Sequence, residues 1–139
     1  MNTAYLLLEA AKRLKHQLNL ALSQHNTTAQ QWAILEALTR LEGTEEPVTA
    51  ARLAAAIDSD RQTTAAVVLR LAKKGWLERT RLKADKRAVA LTLSPTGRKQ
   101  VTALQQVASA TLTAFLATLP PAQQQQLAQA LTKLVEANS

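Results

Sequence analysis

The chain has 139 residues, 47% hydrophobic and 19% charged, with 17 Lys/Arg against 10 Asp/Glu for a net charge of +7. That size and mix describe one ordinary globular domain, long enough to bury its own core. Cysteine is absent, which excludes disulfides, thiolate catalysis, Cys-ligated zinc and thiol redox sensing.

The charge is unevenly placed. Residues 58–99 hold eleven of the bases and four of the acids, which is the whole +7, and the remaining six bases and six acids cancel. A charge split of this kind is the footprint of a polyanion-binding surface. The bases alternate with apolar residues, so the segment is structured and not a basic tail. The aromatics are few: Tyr5, Trp32, Trp76 and Phe115. That is too few for a base-stacking platform, so duplex DNA is a better expectation than a single strand.

In chain order, residues 3–24 place Leu7, Ala11, Leu14, Leu18 and Ala21 at steps of four and three, the stripe of a long helix. The apolar run at Tyr5–Leu8 is short and soon followed by charge, so no signal peptide or membrane span is expected, and a cytoplasmic location is the simplest reading. Thr27-Thr28 can cap a second helix running to Leu41, with Ile34, Leu38 and Leu41 inward. A loop over Gly43–Pro47 leads to a short helix capped by Thr49, with Leu53, Ala54 and Ile57 buried. Asp58-Ser59-Asp60 reads as a helix start, with a cap and acid opposing the dipole. That helix runs to Lys74 and stops at Gly75, held to the core by Val68, Leu71 and Ala72. Two helices joined by a three-residue turn make a helix-turn-helix.

The period then changes. Trp76–Arg81 and Ala88–Leu93 read as strands around a charged tip, residues 82–87. A hairpin directly after a helix-turn-helix is a wing. Ser94-Pro95 opens a helix carrying Val101, Leu104, Ala108, Leu112, Phe115 and Leu119. Pro120-Pro121 breaks it and starts a last helix with Leu127, Leu131 and Leu134. The predicted fold is mainly α with a small β-hairpin. It is a single domain over 1–139, with a winged helix-turn-helix at 28–94 flanked by outer helices at 1–24 and 95–139. Three apolar stripes outside so small a lobe exceed what it could cover, which points to a self-partner.

Three stretches carry a resemblance: Leu71-Ala72-Lys73-Lys74-Gly75-Trp76-Leu77-Glu78-Arg79, then Asp85-Lys86-Arg87, then Leu93-Ser94-Pro95-Thr96-Gly97-Arg98. In this order and spacing the chain resembles the MarR family of bacterial transcription regulators. The resemblance implies a homodimer in which the first and last two helices interlock, and a pseudo-palindromic operator read by two lobes. It also implies repression of transcription, relieved by a small amphipathic or phenolic effector seated between the outer helices and the winged lobe. A cysteine–peroxide switch is excluded.

The DNA-binding candidates are Ser59, Arg61, Gln62, Thr63 and Thr64 at the start of the recognition helix, Arg70 two turns on, and Lys83, Lys86 and Arg87 in the wing. Glutamine pairs with adenine and threonine methyls meet thymine methyls. Arginine at a hairpin tip suits a narrow minor groove. By resemblance Asp85 orients the wing. One of Lys73 and Lys74 is assigned to the helix C-terminus. Trp32 and Trp76 are read as core. The middle of the helix departs from the family: Ala65 and Ala66 replace polar or basic residues, and Leu69 stands where an acid is common. These alanines keep open an alternative, a winged-helix protein-interaction module without sequence-specific DNA binding.

Catalysis and metal binding are not expected. His16 and His25 without cysteine do not make a structural zinc site. Asp58 and Asp60 are explained as caps, no nucleophile–base pair is visible, and three glycines build no phosphate loop. No cofactor is implied.

Overall fold

The computed structural model describes residues 2–84 and 87–139. Its elements are α1 (Thr3–Ser23), α2 (Ala29–Leu41), α3 (Ala50–Ala56), α4 (Arg61–Lys73), β1 (Leu77–Arg81), β2 (Val89–Leu93), α5 (Pro95–Phe115) and α6 (Pro121–Ala137). This is the predicted architecture, with boundaries shifted by a residue or so except at the end of α5.

Polar side chains start the helices. Thr28, Thr49, Asp60 and Ser94 accept the amides of Gln31, Arg52, Thr63 and Gly97 at 3.0, 3.2, 2.7 and 2.9 Å. Each satisfies a donor that the helix leaves unpaired. Thr28 is therefore the cap of α2. Its neighbour Thr27 is buried and its hydroxyl donates to the His25 carbonyl.

Three helices end alike. Asn26, Asp58 and Gly75 adopt φ of 53°, 52° and 79°. The next amides, of Thr27, Ser59 and Trp76, reach back to the carbonyls of Leu22, Ala54 and Leu71. This is a Schellman closure with a left-handed residue, tolerated by Gly, Asn and Asp. Asp58 thus closes α3 and does not cap α4. Only Asp60 does so, because a left-handed residue points its side chain away from the next helix.

The core lies between α2, α3, α4 and the hairpin, closed by the end of α1 and the first half of α5. Leu22, Ile34, Leu35, Leu38, Leu53, Leu71 and Leu104 are fully buried. The strands pair antiparallel with Leu77 opposite Leu93 and Arg81 opposite Val89. The Leu91 amide also donates to the Val48 carbonyl at 2.8 Å, so the stretch before α3 is stitched to the sheet. Trp76 is buried as expected. Trp32 is only half-buried against the core, and its indole N–H has no partner.

Gly97, in the first turn of α5, packs on the backbone of Trp76; a Cβ there would lie 2.0 Å from the Trp76 carbonyl oxygen. That oxygen accepts the Ser94 amide at 3.0 Å, and the Ser94 hydroxyl donates to the Gly75 carbonyl. Glu42, just past α2, accepts the Leu93 amide at 2.8 Å and pairs with Arg98 at 3.1 Å. The start of α5 is thereby fixed to the winged lobe.

The α5 stripe stops short of the expected Leu119. The helix ends at Phe115, and the Gln124 side chain donates to the carbonyls of Leu116 and Leu119 at 3.1 and 2.9 Å. A tight turn held from α6 replaces the last helical turn.

Candidate nucleic-acid interface

Helix α4 buries Thr64, Val67, Val68 and Leu71. At 3.6 residues per turn, the face opposite that stripe carries Gln62, Ala66, Leu69 and Lys73, all exposed. Arg61 and Ala65 lie on one flank, Thr63 and Arg70 on the other. Asp60 fixes the start of this face. Its carboxylate accepts the Thr63 amide at 2.7 Å and the Thr63 hydroxyl at 2.8 Å. These two bonds, the amide's first, hold the Asp60 carboxyl below the ordinary carboxylate range.

Thr64 is a correction to the sequence reading. It is 0% exposed, so its side chain belongs to the core and is out of reach of a groove. It lies four residues before Val68 and seven before Leu71, in phase with the buried stripe. Its polarity suggested an outward role that its phase denies. Thr63 is exposed, but its hydroxyl is engaged by Asp60, leaving the methyl to face outward contacts.

On the first flank, Arg61 of α4, Arg79 of β1 and Arg87 at the end of the hairpin tip converge. They line a concavity of about 510 Å³ with Thr49, Ala50 and Ala51 of α3. Three guanidiniums on one concave surface suit a phosphate backbone. Arg79 is absent from the sequence-based site. Strand phase gave no signal for it, since Arg79 pairs opposite the buried Leu91 and is nevertheless exposed. Lys83 is exposed on the same hairpin. The wing assignments to Asp85 and Lys86 lie outside the described residues.

On the second flank, Arg70, Lys73 and Lys74 border a concavity of about 440 Å³ reaching Asn26 and Thr28. Lys74 does not fold back on its own helix end as expected but reaches across to a neighbouring turn. Its ammonium donates to the Asn26 carbonyl and to Gln31 Oε1 at 2.8 Å, and sits 4.5 Å from the centre of the Trp76 ring. Desolvation lowers its pKa. It joins the end of α4 to the α1–α2 turn, leaving Arg70 and Lys73 for outward contacts.

Ser59, half-buried beside the Asp60 cap, is absent from the lining of both concavities. It lines a separate cleft of about 380 Å³ with Lys15 and Leu18 of α1, Trp32 of α2 and Asp58. No helix among the described residues is long and apolar enough to cross a membrane.

A model of the MarR family matches residues 25–88, the span from the α1–α2 turn to the hairpin. The HTH-type transcriptional regulator YdcH of Bacillus subtilis (strain 168), itself uncharacterized, is 31% identical over 99 residues, covering 71% of this chain and 67% of that protein. A crystal structure of a MarR mutant from E. coli matches with a TM-score of 0.86 at 22% identity, covering 97% of both chains. The same mutant complexed with operator DNA matches at 0.77 and 23% identity, covering 94% of this chain and 91% of that one. The family model and the 31% identical relative together place this chain in the MarR family of DNA-binding transcriptional regulators, which are not enzymes.

Proposed function

We propose that the chain is a homodimeric repressor that binds a pseudo-palindromic duplex operator and releases it when a small amphipathic or phenolic effector binds. The observation that carries the reading is the basic surface formed by the outward face of α4 and the Arg61–Arg79–Arg87 concavity. In this reading α4 lies in the major groove, the arginines hold the adjacent backbone, and Arg87 reaches the minor groove.

The outer helices support the dimer. Tyr5, Leu6, Leu7 and Leu8 of α1, Leu112 of α5, and Leu131, Leu134 and Val135 of α6 are exposed in the single chain. Leu7, Leu14, Leu112, Phe115, Leu127 and Leu131 line an apolar groove of about 270 Å³ between these helices. A second copy would cover it and set two recognition helices in two-fold relation. The structure of an E. coli MarR mutant complexed with operator DNA, similar in fold, supports this reading.

The Lys15–Trp32–Ser59 cleft supports the effector. It touches α1, α2 and the α3–α4 turn together, and offers the Lys15 ammonium and the Asp58 and Ser59 side chains beside apolar walls of Leu18, Trp32 and Ile57. A ligand wedged there would shift α1 against the unit that the lobe forms with α5, favouring a dimer with misplaced recognition helices.

The test is fluorescence anisotropy of the protein against a labelled duplex from its own upstream region, at two salt concentrations, with an unrelated duplex as control. Binding about a thousandfold tighter than to the control is expected, weakening steeply with salt. No binding at low salt would instead favour the protein-interaction module.

A further inference from the structure

Among the described residues, the large apolar side chains most exposed to solvent lie on α1, α5 and α6, with one exception. Leu69, 45% exposed, stands on the outward face of α4. Ala65 and Ala66 precede it by four and three residues, so all three are neighbours on the helix surface. Both alanines are exposed. The centre of the recognition face is therefore apolar, with Gln62 ahead of it, Lys73 behind it, and the cations Arg61 and Arg70 at its flanks. A face ringed by positive charge is drawn against phosphate, so its apolar centre is pressed toward base edges and not toward another apolar protein.

Resting on the reading of this chain as a duplex-binding regulator, we infer that Leu69, with Ala65 and Ala66, selects operators through the C5-methyl groups of thymine. The major groove displays acceptors and donors on every base pair, and one apolar group, the thymine methyl. A leucine makes no hydrogen bond. Over G·C it would desolvate donors and acceptors without replacing their water, which is costly. Over thymine it buries methyl against methyl. The two alanines add no length, so the helix backbone approaches closely enough for Leu69 to reach the groove floor. Sequence preference then comes from Gln62 at the helix start and from a thymine-rich step beneath Leu69.

The experiment begins by selecting the preferred duplex from a randomised library. Each thymine of a half-site is then replaced by deoxyuridine, which lacks only the methyl, and affinities are measured at fixed salt for wild type, Leu69→Ala and Leu69→Met. At one or two positions uracil should weaken wild-type binding about fourfold per methyl lost. Leu69→Ala should show little of that loss, and Leu69→Met, which keeps an apolar tip, should retain it. Uracil accepted everywhere without loss overturns the inference and leaves the regulator reading intact. An undiminished loss in Leu69→Ala places the methyl contact elsewhere and also overturns it. If no sequence is enriched and no salt-sensitive duplex binding is seen, the regulator reading falls and takes this inference with it.

Discussion

Arg87 stands where the hairpin meets the arginine concavity, so its loss tests the wing directly. Arg87→Ala is expected to weaken operator binding by about 1–3 kcal/mol and to leave the sedimentation of the protein unchanged; an unaltered affinity would remove Arg87 from the interface. Asp60 acts at the other end of the same surface. Its carboxyl is held low by the Thr63 amide and hydroxyl. A depressed carboxyl stabilises the fold above its unfolded value of about 3.9, and that contribution is lost as pH falls through the folded value. The Tm difference between wild type and Asp60→Ala should therefore be steady near neutral pH and shrink below about pH 4. Single residues also show where sequence reading stops. Arg61, Gln62 and Arg70 were legible because charge or amide chemistry and exposed phase agree. Thr64 was not, because its hydroxyl and its phase disagree and packing decides. Arg79 was not either, because it is in strand phase with the buried Leu77 and only the folded chain shows it in the concavity.

At the scale of elements, helix starts were legible and helix ends less so. Thr28, Thr49, Asp60 and Ser94 are cap residues by type, and each caps. Of the three left-handed closures only Gly75 was foreseen, since Asn26 and Asp58 are equally at home in turns, caps and surfaces. The end of α5 was misjudged because the stabilising bonds come from Gln124, across the turn, where periodicity has no view. The tightest joint between elements is Gly97 against Trp76. Gly97→Ala forces a methyl into the Trp76 carbonyl and should destabilise the protein by about 2–3 kcal/mol, measured by chemical denaturation. It should also perturb Trp76 fluorescence, because relief requires the β1 backbone to move.

For the whole molecule, the unevenness of burial is the main physical fact. The winged lobe has a closed core, whereas α6 buries no residue at all in the single chain. In the proposed dimer a second copy would supply the missing cover. Leu7→Glu and Leu131→Glu place charge in the apolar groove and are each expected to shift the protein toward monomer in analytical ultracentrifugation. Operator affinity should fall in parallel, while the salt-sensitive affinity for unrelated duplex is retained. The fold class, mainly α with a small hairpin, was legible from the apolar stripes and the change of period at the hairpin. The clefts were not, because each is assembled from side chains distant in sequence.

The joint at the base of α5 has one more consequence. Glu42, Ser94 and Gly97 lock the lobe to this 21-residue helix at its first turn. Lobe and helix then form a single lever, and the proposed dimer would be a ruler whose graduation is the distance between its two reading heads. A rigid ruler does not follow the helical pitch of DNA. One base pair inserted between half-sites rotates one against the other by about 34–36°, and such an operator should bind like a single half-site in a gel-shift titration. A full additional turn would restore the phase but not the length, so it should fail as well.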